Sequence, residues 1–254
     1  MKLKANSLFT LLSNNKTLVF SSLFILISNC NKENKFAKTN YKSDFSKINT
    51  TALPKFEYET ENTAEWQIRN NKIECLVSNK NRKISLKTRQ LGNQDGNLEM
   101  TVRLGFYNDK ISSLNKNWAG FHIGSKSNFQ NTHSDTRKGI NIGMCTNGAL
   151  FIGAPSPNHK NNTIIKALKK GVHLKMSISN HLDNYTIDFS VLDSTNKKVL
   201  GRISKKDITK EQITGNLALI SSFENVEPNV QKPIKSVWFQ DWEIKGTKVA
   251  LITE

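Results

Sequence analysis

Hydrophobic residues make up 37% and charged residues 23% of the 254-residue chain, proportions that exclude a disordered or fibrous protein. A formal net charge of +16 favours acidic partners such as anionic glycans or phospholipid head groups. Because the lysines are spread among many asparagines and form no single run, we interpret the charge mainly as a solvated basic surface. The export signal described next makes nucleic acid the partner we least expect.

The first residues of the chain predict a bacterial export signal. Lys2, Lys4 and Lys16 form a basic start, and residues 18–27 are uncharged and apolar. This run of about ten residues is too short to span the roughly 30 Å hydrocarbon layer of a bilayer. Cys30 follows where a lipoprotein signal peptidase would leave a lipidated cysteine, with an asparagine before it in place of the usual small residue.

We therefore predict three regions. Residues 1–29 are a lipoprotein signal peptide, and lipid on Cys30 anchors the chain in the bacterial cell envelope, at the outer membrane or facing the periplasm. Ordinary secretion is the alternative. Residues 30–50 are polar and rich in lysine, which predicts a flexible tether. Residues 51–248 are long enough for one large all-β domain.

Short apolar runs follow one another at the spacing of strands, separated by Asn, Gly, Asp and Lys clusters. Alternation is clearest in residues 97–107, 172–179 and 185–193, where apolar and polar side chains take opposite faces. Predicted strands cover residues 65–69, 72–77, 83–89, 97–107, 119–124, 139–145, 149–153, 172–179, 185–193, 197–204, 216–221 and 236–245.

The turn chemistry agrees with these strands. Asn147 and Gly148 join two apolar runs, and this pair tolerates the positive φ angles of a two-residue hairpin. One short helix is predicted, with Asp207 as its N-cap and its end near Ile213. The fold class that results is all-β: a two-sheet antiparallel β-sandwich, or jelly roll, with one short helix.

Several segments carry a family resemblance. The order EWQIRNNKIECLV, KISLKTRQL, GNLEMTVRLGF, WAGFHIG, GALFIG and SVWFQDWEIKG resembles the concanavalin A-like (laminin G-like) jelly-roll family. More narrowly, residues 66–246 resemble the N-terminal accessory module of alkaline phosphatase D-like bacterial lipoproteins, through IECLVSNKNRKISLKTRQLG, MTVRLGF, AGFHIGSK, KGINIGMCTNGALFIG and FQDWEIKG. The resemblance implies an accessory sandwich whose partner is a phosphatase domain or a separate phosphatase chain.

The sequence offers no strong metal or cofactor signal. The five histidines fall on separate segments without ligand spacing, and no CxxC pair suggests zinc. Calcium stays unassigned, with Asp135, Asp183 or Asp193 as possible ligands, because no Asp-x-Asp loop supports it. A disulfide between Cys75 and Cys145 is left open, since export permits one but both cysteines lie in strand-like runs.

Catalytic residues are not predicted. Glycan hydrolases of the concanavalin A class place several acids on one strand, but the best strand offers Glu99 alone, with Thr101 and Arg103 at the other positions. Glu99 is therefore interpreted as a solvent-face residue. Asp241 and Glu243 share a face of the last predicted strand, although the tryptophan between them indicates core packing.

A binding face is the remaining candidate site. Sugar recognition combines an aromatic platform with amide and charged side chains around it. The predicted ligand-binding residues are Trp118, His122, Asn131, His133, Asp135 and Arg137. The alternative is that Trp118 packs at the sandwich edge and the polar loop 128–138 is merely exposed. Trp66, Trp238 and Trp242 are assigned to the core or to the seam between the first and last strands.

The functional hypothesis is an exported lipoprotein binding module that recognises a glycan or another extracellular ligand, or that is accessory to a phosphatase or phosphodiesterase, without a catalytic centre of its own. An enzyme is the alternative, either a glycan-active hydrolase with a non-standard acid pair or the front part of a split phosphatase. A third possibility is a docking role for a neighbouring catalytic chain.

Overall fold

The computed structural model describes residues 39–46, 48, 51–107, 117–124, 139–156, 159–182, 184–224 and 235–252. The predicted signal peptide and Cys30 lie outside these residues. The strands in the described part are β1 (Tyr41–Lys42), β2 (Tyr58–Glu59), β3 (Trp66–Arg69), β4 (Lys72–Cys75), β5 (Arg82–Leu91), β6 (Leu98–Phe106), β7 (Trp118–Ile123), β8 (Ile140–Cys145), β9 (Leu150–Ile152), β10 (Val172–His181), β11 (Asn184–Asp193), β12 (Val199–Ile208), β13 (Gly215–Ser222), β14 (Val237–Lys245) and β15 (Val249–Leu251).

These strands form two antiparallel sheets. Sheet A has the order β12-β11-β10-β6-β14-β4-β3, with β1 also paired to β14. Sheet B has the order β15-β5-β13-β7-β8-β9, with β2 also paired to β5. The chain passes from one sheet to the other after β1, β2, β4, β5, β6, β9, β12, β13 and β14. The predicted all-β, two-sheet antiparallel sandwich is thus confirmed.

The main core lies between the sheets and follows from strand alternation. On β10 and β11 every second side chain is buried, as in Met176, Ile178 and Phe189, which are at most 1% exposed. Phe189 of sheet A meets Phe121 of sheet B edge to face, with ring centroids 6.5 Å apart. Burying each such side chain contributes about 1.5–3 kcal/mol.

The N-terminal part of the described chain packs on sheet A. Tyr41 pairs with Ile244 of β14, and the backbone N–H of Ser43 donates to the Trp242 carbonyl at 2.8 Å. The Ser43 hydroxyl accepts from the Trp242 N–H at 2.9 Å. Residues 39–46 therefore differ from the flexible tether predicted for residues 30–50, because Tyr41 and Phe45 bury aromatic rings.

All four tryptophans are buried, being 9% exposed or less. Trp66 on β3 and Trp242 on β14 belong to the main core, which confirms their assignment, whereas the ring of Trp238 on β14 packs against the cationic groups of Lys72 and Arg103.

The helices differ from the single one expected. Helix α2 (Lys210–Ile213) is confirmed in place, but its N-cap is Thr209, whose backbone N–H donates to the Gln212 side chain at 2.9 Å. Asp207 is instead the second-last residue of β12, with a left-handed φ of 58°. Besides a 3-10 turn (Thr63–Glu65), the sequence reading missed α1 (Asn162–Leu168), which begins where the Asn161 side chain accepts two backbone N–H groups.

Cys75 and Cys145 are both free and buried, so they form no disulfide with each other. Burial raises the pKa of the Cys145 thiol to about 11, which keeps it protonated and unreactive at neutral pH. Within the described residues, no helix has the length and apolar character needed to cross a membrane.

Candidate functional site

Two of the predicted ligand-binding residues lie on the outer face of sheet B. Trp118 and His122 belong to β7, with Gly120 between them. Their neighbours Ala119 and Phe121 point into the main core, so strand alternation directs Trp118, Gly120 and His122 to the opposite face.

Strand register sets the partners of this face. Gly120 lies opposite Gly143 of β8, and His122 lies opposite Asn141 of β8. On the other side of β7, Gly120 lies opposite Ile220 of β13, and His122 lies opposite Ala218 of β13. We call this region the sheet B outer face: Trp118, Gly120, His122, Asn141, Gly143, Cys145, Phe151, Ala218 and Ile220.

The two glycines form a floor without side chains. A β-carbon on Gly120 would lie 2.2 Å from the Ile142 carbonyl oxygen, and one on Gly143 would lie 2.7 Å from the Ala119 carbonyl oxygen. Only glycine therefore fits at either position. Paired glycines inside strands mark places where another group approaches the backbone closely.

Trp118 is packed and is not presented as an open platform. Its ring meets Phe151 edge to face, with centroids 5.1 Å apart, and it is 5% exposed. Together with Cys145, Ala149 and Ile220 these two rings form an apolar cluster separate from the main core. This arrangement corresponds to the packing role that was the alternative for Trp118.

His122 is the polar feature of this face. It is 5% exposed, and its Nδ1 lies 2.6 Å from Oδ1 of Asn141. Because a carboxamide oxygen only accepts, Nδ1 carries the proton and Nε2 is left as an acceptor. That Nε2 atom is buried and has no hydrogen-bond partner among the described residues.

Burial lowers the pKa of His122 to about 4, against the hydrogen bond to Asn141, which raises it, and with a further lowering by the Lys83 ammonium. The imidazole is therefore neutral at physiological pH. A neutral ring with one filled and one empty hydrogen-bonding position can accept a hydrogen bond from a ligand hydroxyl.

The other four predicted ligand-binding residues, Asn131, His133, Asp135 and Arg137, lie outside the described residues. The structure therefore brings together Trp118 and His122, and adds Asn141, Phe151 and the glycine pair. The sequence signal for the pair was the spacing in GFHIG and NIGM, where glycine interrupts an apolar strand on the side away from the core.

The outer face of sheet A differs in composition. Charged side chains alternate across neighbouring strands: Glu99 pairs with Lys175 at 2.6 Å and Asp188 with Arg202 at 3.1 Å. The Glu99 side chain is 44% exposed, which confirms its interpretation as a solvent-face residue.

A cavity of about 300 Å³ opens on this face, at the lower end of the range for small-molecule sites. We call it the bulge pocket; its lining residues are Thr101, His173, Leu174, Lys175, Leu192, Lys197, Asp241 and Glu243.

The bulge pocket takes its shape from an irregularity in β14. The pairing with β6 shifts between Gln240 and Glu243, and Asp241 has a left-handed φ of 54°. A β-bulge re-aims side chains in this way. As a result Trp242 turns into the core, where it is fully buried, while Asp241 and Glu243 line the pocket.

Sequence reasoning missed the bulge pocket, although a signal existed. The core-facing residues of β14 follow a period of two up to Phe239. The next one is Trp242, three residues later, so the period shifts by one residue. Such a shift predicts a bulge and therefore a re-aimed side chain at Asp241.

No metal site is found in the part of the chain that the structure describes, because His, Cys, Asp and Glu side chains form no group of three or more that could hold an ion. Of the possible calcium ligands, Asp193 uses its carboxylate to accept the backbone N–H groups of Thr195 and Asn196 in its own turn. Asp135 and Asp183 lie outside the described residues.

Neither a protein-family model nor a curated protein sequence matches the chain. Among solved structures, arcelin-5, a lectin-like defence protein from Phaseolus vulgaris, is similar with a TM-score of 0.49 and 6% identity, over 82% of this chain and 99% of that one. Lectin II from Ulex europaeus gives a TM-score of 0.49 and 9% identity, over 82% and 97% of the two chains.

An endo-1,3-beta-glucanase from Streptomyces sioyaensis is similar with a TM-score of 0.48 and 11% identity, over 81% of this chain and 95% of that one. At these values the likeness is one of general sandwich architecture. It assigns neither a family nor a ligand to this chain.

Proposed function

We propose that the protein is a carbohydrate-binding module whose ligand site is the sheet B outer face. The observation that carries the proposal is the buried, unpartnered Nε2 of His122 beside a glycine floor and an aromatic pair. A buried polar atom without a partner costs about 1–3 kcal/mol. A ligand hydroxyl that donates to Nε2 would recover this cost.

The rest of the face suits a sugar. A pyranose ring has apolar C–H faces and a polar rim, so its site combines apolar walls with a few placed hydrogen-bonding groups. Phe151, Trp118 and Ile220 supply the walls, and the Asn141 amide lies next to His122.

We include the four predicted loop residues Asn131, His133, Asp135 and Arg137 in the proposed site. Residues 125–138 join β7 to β8, the two strands that carry His122 and Asn141. Polar and charged side chains from such a connection would add hydrogen bonds to sugar hydroxyls.

The cellular setting is proposed from the sequence alone. Cys30 would carry the lipid that holds the module in the cell envelope, after removal of residues 1–29. The resemblance to phosphatase accessory modules supports a role beside a phosphatase or phosphodiesterase domain or chain. In that setting the module would hold the catalytic partner near a glycan surface.

Glycan hydrolysis is the weaker candidate. Its best acid pair would be Asp241 and Glu243, but salt bridges from Lys42 at 2.9 Å and Lys245 at 3.2 Å hold the pKa of Glu243 below its ordinary value. An ionised Glu243 does not supply the proton that a departing sugar requires.

The test is affinity electrophoresis of the full-length chain in gels that contain neutral or acidic polysaccharides. His122→Phe keeps the ring shape and removes the acceptor, while His181→Phe makes the same change at an exposed position on β10. We expect retardation by at least one polysaccharide, weakened about ten-fold by His122→Phe because one hydrogen bond and its geometry are lost. His181→Phe should behave like the parent chain.

Two results would overturn the proposal. One is the absence of retardation by every polysaccharide; the other is equal retardation of the parent chain and His122→Phe. Thermal unfolding of each variant shows that a loss of retardation does not come from loss of the fold.

A further inference from the structure

The bulge pocket contains two unusual backbone positions. Lys197 has φ 58° and Asp241 has φ 54°, in the left-handed region that is costly for residues other than glycine. Lys197 is held there by the turn between β11 and β12, in which its N–H donates to the Asp193 carbonyl at 3.1 Å. Both constrained residues line the same cavity.

One end of the pocket is basic. The Lys197 ammonium lies 2.5 Å from Nε2 of His173, and no carboxylate pairs with Lys197 among the described residues. Burial, Lys197 and Arg103 lower the pKa of His173, while Asp241 opposes this shift. The side chain of Lys197 therefore faces a neutral imidazole and not a carboxylate.

Most other charges that line the pocket are already paired. Lys175 is held by Glu99 at 2.6 Å, and Glu243 is held by Lys42 and Lys245. Two groups form no salt bridge among the described residues: the Lys197 ammonium and the Asp241 carboxylate, which acts on Lys42 and His173 only by longer-range electrostatics. The Thr101 hydroxyl adds a donor and acceptor beside them.

We propose that the bulge pocket binds one sugar unit that carries a carboxylate, as in a uronic acid of an acidic polysaccharide. The carboxylate of the sugar pairs with Lys197, and ring hydroxyls donate to Asp241 and hydrogen-bond with Thr101. Leu192 provides an apolar side for the ring.

A cavity of about 300 Å³ suits a single sugar unit better than an extended chain. This site lies on sheet A and is distinct from the one proposed on sheet B, so either can hold when the other fails.

The left-handed positions support a ligand role by a second route. Strain of this kind costs about 1 kcal/mol or more and concentrates at ligand sites. Glycine would relieve it at Lys197 but would remove the ammonium. Lysine at position 197 thus retains the ammonium group in spite of the strained backbone.

The experiment is isothermal titration of the full-length chain with a galacturonate tetramer, and with a neutral glucose tetramer of the same length, at physiological salt. Lys197→Met removes the proposed carboxylate partner. Lys198→Met is the matched control, because Lys198 is the next residue, is exposed, and loses the same charge. Asp241→Asn tests the hydroxyl contacts without changing the size of the side chain.

We expect binding of the acidic tetramer alone, weakened about ten-fold by Lys197→Met, which corresponds to roughly 1.4 kcal/mol, and weakened also by Asp241→Asn. Lys198→Met should change the dissociation constant by less than about two-fold, and His122→Phe should leave it unchanged. Equal losses in the two lysine variants would overturn the proposal, since they would show non-specific attraction to a basic surface. So would a neutral tetramer that binds equally and is weakened equally by Lys197→Met, or no binding of the acidic tetramer.

Discussion

The outer faces of the two sheets differ in composition and in burial. On sheet A, β10 alternates buried and partly exposed residues, and its outer side chains pair as ions. On sheet B, every residue of β7 is buried, and the sheet B outer face consists of aromatic, aliphatic, cysteine and glycine residues apart from His122 and Asn141. Because every residue of β7 is buried, both faces of this strand are covered. The comparison locates a second apolar cluster on the outer side of sheet B, and the unpartnered Nε2 of His122 lies on the same face.

The largest expected difference concerns apolar side chains. Trp118→Ala should lower the free energy of unfolding by about 3–5 kcal/mol, because it removes the ring that packs against Phe151 and leaves a cavity. Leu192→Ala on the outer face of sheet A should cost about 1 kcal/mol or less, since Leu192 is partly exposed. Urea unfolding measures both. Similar losses would mean that the two outer faces are equally covered.

This expectation also governs how binding at Trp118 is tested. Removal of the ring would confuse lost affinity with lost folding. Trp118→Phe keeps an aromatic ring against Phe151 and is the variant to use in binding experiments.

The next difference is the pH dependence of stability. His122 titrates near pH 4 in the folded chain and near its ordinary value of 6.5 when unfolded. Below pH 6.5 the unfolded chain binds a proton that the folded chain does not, so stability falls between about pH 6.5 and 4, by about 3 kcal/mol in all.

Urea unfolding at a series of pH values checks this slope. His122→Phe should lack it, whereas His173→Phe on sheet A should remove only a smaller part, because His173 is partly exposed and its pKa is lowered in the same direction. An unchanged slope in His122→Phe would contradict the neutral, buried imidazole.

A smaller difference concerns added atoms. Gly120→Ala should destabilise the fold by about 1–3 kcal/mol, because its β-carbon meets the Ile142 carbonyl oxygen. Ser177→Ala at an outer position of β10 should stay within about 0.5 kcal/mol. Thermal unfolding of the pair measures this, and a tolerated Gly120→Ala would remove the case for a tight glycine floor.

The smallest expected effect is on the ion pairs of sheet A. Glu99→Gln should change the free energy of unfolding by less than about 0.5 kcal/mol, because both partners of the Glu99–Lys175 pair are more than 40% exposed. The change should shrink further at 1 M salt. A larger, salt-resistant effect would show that the outer face of sheet A is covered like that of sheet B.

Strand alternation predicted most of the fold. Residues 97–107 and 172–193 carry a clean period of two, and they became β6, β10 and β11 with the expected faces inward. The parts that sequence reading missed depend on tertiary contacts. Strand β1 has only two residues, and its place follows from pairing with Ile244, about 200 residues further along the chain.

The candidate site was predicted in part. Trp118 and His122 were both among the predicted ligand-binding residues, and the structure places them on one face of β7. The burial of Trp118 was predicted only as the alternative of packing at the sandwich edge, and its partner Phe151 lies on β9, which sequence spacing does not bring near. His173 and Lys197 were missed for the same reason: they meet only when the turn after β11 closes.

The position of β14 has a consequence for how the chain folds. This strand lies inside sheet A between β6 and β4, and also pairs with β1, yet it comes more than 190 residues after β1 in the chain. Sheet A therefore closes only after residues 237–245 have joined strands made much earlier, a long-range step that slows folding. Until that moment β6 and β4 present unpaired edges. We expect the growing chain to be most prone to aggregation just before this late strand inserts.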